Sequence, residues 1–288
     1  ELAANDSIAT NSLLKDELLS FGERMSSLLF TQVLLQKGVN AQTADVREVL
    51  KTDSRHGSAQ PNIALTREQA QQRLLPQLSD YVVVTQGFIG SDELGNTTTL
   101  GRGGSDYSAA LLAEALEAAT LHIWTDVSGI FTTDPRLASN ARPIPEISFD
   151  EAAEMATFGA KILHPATVIP AIRSGTRVFV GSSRTPDEGG TWISQETGDK
   201  PPFRALALRR DQVLVTLKNP AMLHASGFLA EVFTIMARHK VSVDLISTSE
   251  ISVAMTIDNP TNSTTTILTD ALLNELRKVC AVELEDNL

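Results

Sequence analysis

The spacing of apolar residues changes character near residue 200. Up to that point, apolar runs typical of buried strands, at 81–89 (YVVVTQGFI), 121–125 (LHIWT) and 176–180 (TRVFV), alternate with segments of helical character at 107–119 and 149–174. Strands that alternate with helices are typical of α/β domains built on a parallel sheet. We therefore predict an α/β domain over residues 1–196, with a mostly parallel sheet sandwiched by helices.

Three further segments complete this part of the chain. Residues 13–37 carry apolar positions three and four apart, which predicts a helix, although Gly22 interrupts it and suggests close packing or a ligand there. Thr66 and Gln69 have the spacing of a capping box and predict a helix over 67–78. The Ser-, Pro- and Gly-rich segment 182–202 is typical of a linker.

Beyond this linker the order of elements predicts a second, smaller domain over residues 203–288. The segment 203–209 (FRALALR) has an alternating residue pattern typical of a strand, and it resembles an isolated strand. The remaining predicted elements are strands at 212–217, 241–247, 252–257 and 281–285 and helices at 227–239 and 269–279, the first with an apolar stripe. Their order, β-α-β-β-α-β, is the ferredoxin-like arrangement.

Composition narrows the function classes. The chain has 288 residues, 42% of them hydrophobic, and 24 Lys and Arg against 35 Asp and Glu give a net charge of −11. Such a charge argues against a nucleic-acid or anionic-membrane partner, and a phosphate site would be local, with a divalent cation. One cysteine, Cys280, excludes a disulfide framework. With no membrane-spanning run or signal-peptide pattern, we expect a cytoplasmic enzyme.

The segment 101–106 (GRGGSD) is the strongest candidate for binding chemistry. It lies between an apolar strand and an Ala- and Leu-rich helix, and its three glycines would let the backbone approach an anion closely. Arg102 adds a planar guanidinium suited to gripping a carboxylate or a phosphate. The alternative is a glycine-rich return in which Ser105 or Asp106 serves only as the helix N-cap.

Several segments in the same order resemble the aspartate kinases, specifically the lysine-sensitive type. They are LLSFGERMSS (18–27), TTLGRGGSDYSAALLA (98–113), IWTDVSGIFTTDPR (123–136), EAAEMATFGAKILHPAT (151–167), GFLAEVF (227–233) and VSVDLISTSE (241–250). The resemblance implies an amino-acid-kinase fold over 1–196 and an ACT-type regulatory domain over 203–288. It also implies that the chain is a fragment, because the family's N-terminal Lys-Phe-Gly-Gly segment and most of its second ACT unit are not found.

By this resemblance, the chain phosphorylates the side-chain carboxylate of L-aspartate with ATP and Mg²⁺, in the first step of lysine, threonine and methionine biosynthesis. Arg102 would hold the substrate α-carboxylate, Glu23 would hold its α-ammonium, and Phe88, Ser105 and Asp106 would line or orient the pocket. A carboxylate is already ionised at neutral pH, so alignment and charge neutralisation carry catalysis, with no general base.

The resemblance also implies an ATP site and a regulatory site. The ATP residues would be Thr125, Asp126, Phe131, where the family often has Tyr, Arg136, Lys161 and Ile162. Without the resemblance, Ser128-Gly129 and Asp134-Pro135 would be interpreted as turns, Lys161 as a surface lysine and His164 as structural. Inhibition by L-lysine, often shared across a homodimer of ACT domains, would involve Met222, Phe228, Leu229, Ser242, Val243, Asp244, Ser249 and Glu250.

Two alternatives stay open from the sequence. The chain as given could act only as an amino-acid-binding and dimerisation module with impaired catalysis, because the phosphate-binding lysine segment is not found. It could also be a related carboxylate kinase of the same fold that acts on glutamate derivatives. A comparison of aspartate with glutamate as substrate separates the two kinase hypotheses.

Overall fold

The computed structural model describes residues 11–157, 165–199, 201–208, 210, 212–220, 222, 226–258 and 268–285, with residues 165–168 described by their backbone alone. The chain forms two compact units, Glu1–Ala207 and Leu208–Leu288. In the described part of the chain, no helix is both long enough and apolar enough to cross a membrane.

The first unit alternates strands and helices as predicted. Its elements are α1 (Ser12–Gln36), β1 (Ala41–Ala44), α2 (Ile63–Arg73), β2 (Val82–Thr85), β3 (Ile89–Ser91), β4 (Thr97–Thr99), α3 (Gly104–Ala115), β5 (Thr120–Thr125), β6 (Glu146–Ser148), α4 (Phe149–Thr157), α5 (Pro165–Ser174), β7 (Arg177–Ser182) and β8 (Gly190–Ser194). Parallel pairing joins β1 to β2, β5 to β7 and β6 to β8. Antiparallel pairing joins β3 to β4 and β7 to β8.

The main core of this unit lies on one face of the sheet β5-β7-β8-β6. Alternate residues of β5 and β7, such as Leu121, Ile123, Val178 and Val180, point into it. The helices α3, α4 and α5 contribute mostly alanines to the same core. Small side chains let a helix approach a sheet closely, and this packing fixes the position of α3 and of the glycine loop that precedes it.

Three predictions in this unit are wrong. The strand over 81–89 is broken into β2 and β3, because Phe88 adopts a positive φ of 70°. The predicted linker 182–202 contains β8, whose Ile193 is buried between β6 and β7. The helix over 67–78 is α2, which begins at Ile63 because Asn62 caps it, and Thr66 lies buried in its interior.

Helix α1 has nearly the predicted extent, but its polar face is buried and its apolar face is exposed. Its buried residues are polar: Asp16, Ser20, Ser27 and Thr31. Its apolar side chains include Met25 and Leu29, which are 67% and 68% exposed. Gly22 does not interrupt the helix, and a Cβ added there would meet nothing within 4 Å, so the expected close packing is absent. The polar face is buried because it hydrogen-bonds to neighbouring strands and loops.

The second unit has the predicted β-α-β-β-α-β order. Its elements are β9 (Gln212–Lys218), α6 (Phe228–Arg238), β10 (Leu245–Thr248), β11 (Ser252–Asp258), α7 (Asp270–Val279) and β12 (Ala281–Glu285). The strands pair antiparallel in the order β10-β11-β9-β12, as in a ferredoxin-like sheet. Strand β10 starts at Leu245, later than the predicted 241. The strand expected at 203–209 is wrong over 203–208, where the backbone makes no strand.

Candidate active site

The turn between β2 and β3 packs onto the first residues of α3. The backbone N–H of Phe88 donates to Ser108 Oγ at 3.1 Å. A Cβ added to Gly104 would lie 2.8 Å from Phe88 Cδ2, and one added to Gly87 would lie 3.1 Å from Ser105 Cα. The glycines therefore permit an approach that other residues would block. Phe88 and Ser105, two of the predicted substrate residues, are brought together here.

The start of α3 has the backbone geometry of an anion site. Gly101 and Gly103 adopt positive φ values of 80° and 72°, and α3 begins at Gly104 with Gly103 as its N-cap. No described side chain caps this end, so the alternative in which Ser105 or Asp106 is the N-cap is wrong. The first N–H groups of a helix have no acceptor one turn earlier in the helix; here the Gly104 N–H donates to the Gly101 carbonyl at 3.0 Å, which closes the glycine loop onto the helix start. An anion placed here would also meet the positive end of the helix dipole.

Helix α1 borders the same turn. Gln86, two residues before Phe88, donates from Nε2 to Ser27 Oγ at 2.8 Å and accepts the backbone N–H of Val46 at 2.9 Å. Glu23 precedes Ser27 by one helical turn and is half-buried on the same face. Helix α1 therefore positions Glu23 towards the end of β2, where the predicted substrate site lies.

Arg102 and Asp106 lie on either side of the α3 start. Arg102 is exposed in the glycine loop, and Asp106 occupies the first turn of α3. The roles predicted for these two residues and for Glu23, Phe88 and Ser105 stay predictions. The structure places Arg102, Ser105 and Asp106 at the start of α3 with Phe88 packed against it, and Glu23 on the neighbouring helix α1.

The second predicted site begins at the C-terminal edge of β5 and β7. Because these strands are parallel, Thr125 and Ser182 lie at the same edge. The next residue, Ser183, donates from its backbone N–H and from Oγ to the Thr125 carbonyl, at 2.8 and 3.0 Å. Thr125 Oγ1 donates to Asp126 Oδ1 at 3.2 Å, and Asp126 is exposed. The edge therefore presents hydroxyls and one carboxylate.

The loop that follows is tied to the sheet by Thr191, which sequence reasoning missed. Thr191 lies in β8 and is fully buried. Its Oγ1 accepts the backbone N–H of Ile130 at 2.7 Å and donates to the carbonyl of Ile144 at 2.6 Å. Gly129, with φ 109°, approaches so closely that a Cβ there would lie 2.7 Å from Thr191 Oγ1. A threonine inside a segment interpreted as linker gave no signal of this role.

Phe131 and Arg136 lie further along this loop. Phe131 is half-buried and forms a β-bridge with Pro143. Arg136 is exposed and pairs with Asp134 at 2.7 Å. The hydrogen bond from Arg136 to Asp134 raises the pKa of the guanidinium. Arginine is charged at neutral pH in any case, and its planar group suits a phosphate. Lys161, Ile162 and His164 lie outside the described residues.

In the second unit, some of the predicted effector residues lie close together and others do not. Met222, Phe228 and Val243 pack against the same apolar cluster, with Met222 and Phe228 on the N-terminal side of α6 and Val243 after its C-terminal end. Leu229 and Ser242 are exposed. Ser242, Val243 and Asp244 precede β10, whereas Ser249 and Glu250 follow it. Asp244 and Glu250 therefore lie at opposite ends of β10. Ser249 Oγ accepts the backbone N–H of Ser252 at 3.1 Å in the turn to β11.

Comparison with known proteins defines the class of the chain. Residues 2–182 match the amino acid kinase family, and residues 215–263 match an ACT domain. The chain belongs to the amino acid kinase family, with an ACT domain following the kinase part. The predicted fold class is confirmed, since the described sheets also have the expected α/β and ferredoxin-like order.

Within this class, the chain is similar to lysine-sensitive aspartokinases. It is 58% identical to lysine-sensitive aspartokinase 3 of Escherichia coli over 289 residues, which covers 100% of this chain and 64% of that protein. The crystal structure of E. coli aspartokinase III with aspartate and ADP matches with a TM-score of 0.82, over 99% of this chain and 64% of that chain. The structure of the E. coli protein with lysine and aspartate matches with a TM-score of 0.81. The resemblance to aspartate kinases is confirmed, and the chain spans less than two thirds of the length of this relative.

Proposed function

We propose that the protein is an aspartate kinase, which transfers the γ-phosphoryl group of ATP to the side-chain carboxylate of L-aspartate. A carboxylate oxygen forms a bond to the γ-phosphorus while the bond to the β,γ-bridging oxygen breaks, and that oxygen leaves with the electron pair as part of ADP. The product is 4-phospho-L-aspartate, made in the first step of lysine, threonine and methionine biosynthesis. The observation that carries the proposal is the start of α3, which has no described side-chain cap and packs against Phe88 beside Arg102.

The substrate would bind at this helix start through both of its charged ends. The α-carboxylate would accept hydrogen bonds from the first N–H groups of α3 and from the Arg102 guanidinium. Glu23 would pair with the α-ammonium, and Phe88 and Ser105 would line the pocket. Asp106 would orient the substrate or the metal-bound nucleotide. Since the nucleophile is already ionised, these residues contribute alignment rather than proton transfer.

ATP would occupy the edge formed by Thr125 and the loop that Thr191 ties down. Phe131 would stack on the base, and Arg136, Lys161 and Ile162 would contact the nucleotide. Among the described residues, no three Asp, Glu, His or Cys side chains are grouped to hold a metal ion. The exposed carboxylate of Asp126 fits the one or two protein ligands that Mg²⁺ accepts beside phosphates. Mg²⁺ would neutralise charge on the phosphoryl oxygens.

The regulatory part of the proposal concerns residues 203–288, with the kinase part at 1–196. We propose L-lysine as an inhibitor bound near the N-terminus of α6, because the E. coli relative is described as lysine-sensitive. Because Asp244 and Glu250 lie at opposite ends of β10, one lysine would meet both most simply across a homodimer of ACT domains. The cytoplasmic location predicted from composition stays a prediction.

The test is a hydroxamate assay, which traps an acyl phosphate as a coloured derivative. It is run with ATP and Mg²⁺ on the natural gene product that carries this sequence, with L-aspartate or L-glutamate as acceptor. We expect an aspartate-dependent product, a weaker one with glutamate, and a KM for aspartate raised at least about tenfold in Arg102→Ala, the cost of a lost charged contact. Arg67→Ala, which removes an exposed arginine on α2, is the control and should behave as wild type.

No product with aspartate would overturn the proposal. A product with glutamate alone would favour the related carboxylate kinase. An unchanged KM in Arg102→Ala would remove Arg102 from the substrate site and leave the rest of the assignment in place.

A further inference from the structure

Asp16 is a buried carboxylate that hydrogen-bonds to segments on both sides of the glycine loop. It lies on α1 and is 1% exposed. Its Oδ2 accepts the backbone N–H groups of Gly57 at 2.9 Å and of Thr99 at 3.0 Å. Its Oδ1 accepts the Thr99 hydroxyl at 2.8 Å, and His56 Nδ1 lies 3.1 Å from Oδ2. A buried carboxylate is stable only with such partners, so the arrangement is strongly specified.

The two segments joined by Asp16 both lead to the predicted substrate loop. Thr99 ends β4 and precedes Gly101 by two residues. Gly57 belongs to the loop that packs on Gly101, where a Cβ added to Gly101 would lie 3.1 Å from the Gly57 carbonyl oxygen. Ala59, in the same loop, donates its backbone N–H to the Thr99 carbonyl at 2.9 Å. Asp16 thus fixes the approach to Gly101 from both sides.

The neighbouring residue on α1 holds the other end of the same strand. Glu17 accepts a hydrogen bond from the Thr97 hydroxyl and pairs with Arg24 at 3.3 Å and Arg47 at 3.9 Å. Because α1 also carries Glu23, one helix would fix β4, the loop at 56–58 and the proposed partner of the substrate ammonium. The distance between the two substrate-binding charges, on Arg102 and Glu23, would then depend on this helix.

We propose that Asp16 is a positioning residue that sets the Gly101-Arg102 segment for the carboxylate of the amino-acid substrate, with His56 completing its coordination. This inference rests on the proposed function of the glycine loop. It predicts that loss of Asp16 acceptors weakens amino-acid binding and leaves nucleotide binding unchanged, because the nucleotide loop is held separately by Thr191.

The test is calorimetric titration of L-aspartate into wild-type protein, three variants and one control variant. Asp16→Asn keeps the size of the side chain and turns one acceptor oxygen into an NH₂ group that faces N–H donors. Thr99→Val replaces the hydroxyl with a methyl group of similar size, and Thr99→Ser keeps the hydroxyl. Glu114→Gln is the control, because Glu114 is also a buried carboxylate, paired with Arg173 at 2.6 Å near the far end of α3.

We expect the Kd for L-aspartate to rise about tenfold or more in Asp16→Asn and less in Thr99→Val, with recovery in Thr99→Ser. Glu114→Gln should lose thermal stability and keep the wild-type Kd. The KM for ATP should stay unchanged in all the variants, which a general loss of structure would not allow. If Asp16→Asn does not fold, the comparison of Thr99→Val with Thr99→Ser decides alone.

The titrations distinguish failure of the Asp16 role from failure of the proposed function. Wild-type binding of aspartate together with an unchanged Kd in Asp16→Asn and Thr99→Val would overturn the role of Asp16 and keep the proposed function. Absence of aspartate binding by the wild type would overturn the proposed function itself and, with it, this inference.

Discussion

At the scale of single residues, the site depends on a contact between Phe88 and Gly104. Phe88 adopts a left-handed backbone conformation that is rare for an aromatic residue, and local strain of this kind is frequent at functional sites. The glycines could be identified from the sequence as places where the backbone can be approached closely, and their role in binding an anion stays a prediction. The sequence could not predict the conformation of Phe88, because nothing in the run YVVVTQGFI marks one of its residues as the turn.

Gly104→Ala should therefore destabilise the protein by about 1–3 kcal/mol, since the new methyl group overlaps Phe88 at 2.8 Å. Chemical denaturation measures the change. The matched control is Gly22→Ala in α1, where the methyl group enters open space and should stabilise the protein by up to about 1 kcal/mol. Equal effects of the two substitutions would contradict the close contact.

At the scale of elements, the predictions succeeded where the local sequence pattern was strong. They failed where residues distant in sequence determine which face is buried or whether a strand forms. Helix α1 was predicted from its spacing, yet its buried face is the polar one. Spacing gives the period of a helix and does not say that Asp16 and Ser27 have buried partners 83 and 59 residues away. Strand β8 was missed because its neighbours in sequence are Ser, Pro and Gly, although β6 and β7 pair with it on both sides.

Thr191 on β8 gives a prediction at this scale. Thr191→Val leaves the Ile130 N–H and the Ile144 carbonyl without their partner and should cost about 1–3 kcal/mol. If the loop at 126–136 binds ATP, the KM for ATP should rise while the KM for aspartate stays unchanged. Thr191→Ser keeps the hydroxyl and should retain the wild-type KM for ATP. A rise confined to the aspartate KM would contradict the assignment of this loop.

At the scale of the whole molecule, the division into a kinase part and an ACT domain could be predicted from the change in pattern. The second unit was predicted nearly element by element, because its helices α6 and α7 are strongly amphipathic and its strands are short and alternating. The segment at 203–208 was predicted wrongly as a strand, since the Leu206 N–H donates to the Thr132 carbonyl at 2.8 Å, within the first unit, instead of joining a sheet. A pairing with so distant a residue leaves no trace in the local sequence.

Regulation is tested by calorimetry with lysine, threonine and methionine. We expect heat from lysine alone, and weaker lysine binding in Glu250→Gln with aspartate binding unchanged. Glu283→Gln, which changes an exposed glutamate on β12, should bind lysine as the wild type does. Heat from threonine and none from lysine would refute the choice of effector.

The measurement that tests the central claim most directly is a ¹⁵N NMR titration of the protein with L-aspartate. If backbone amides at the start of α3 hold the substrate carboxylate, the largest shifts fall on Gly103–Asp106 and on Phe88, and they disappear in Arg102→Ala at the same aspartate concentration. Shifts centred elsewhere, with these amides unmoved at saturation, would show that the glycine loop does not bind the amino acid.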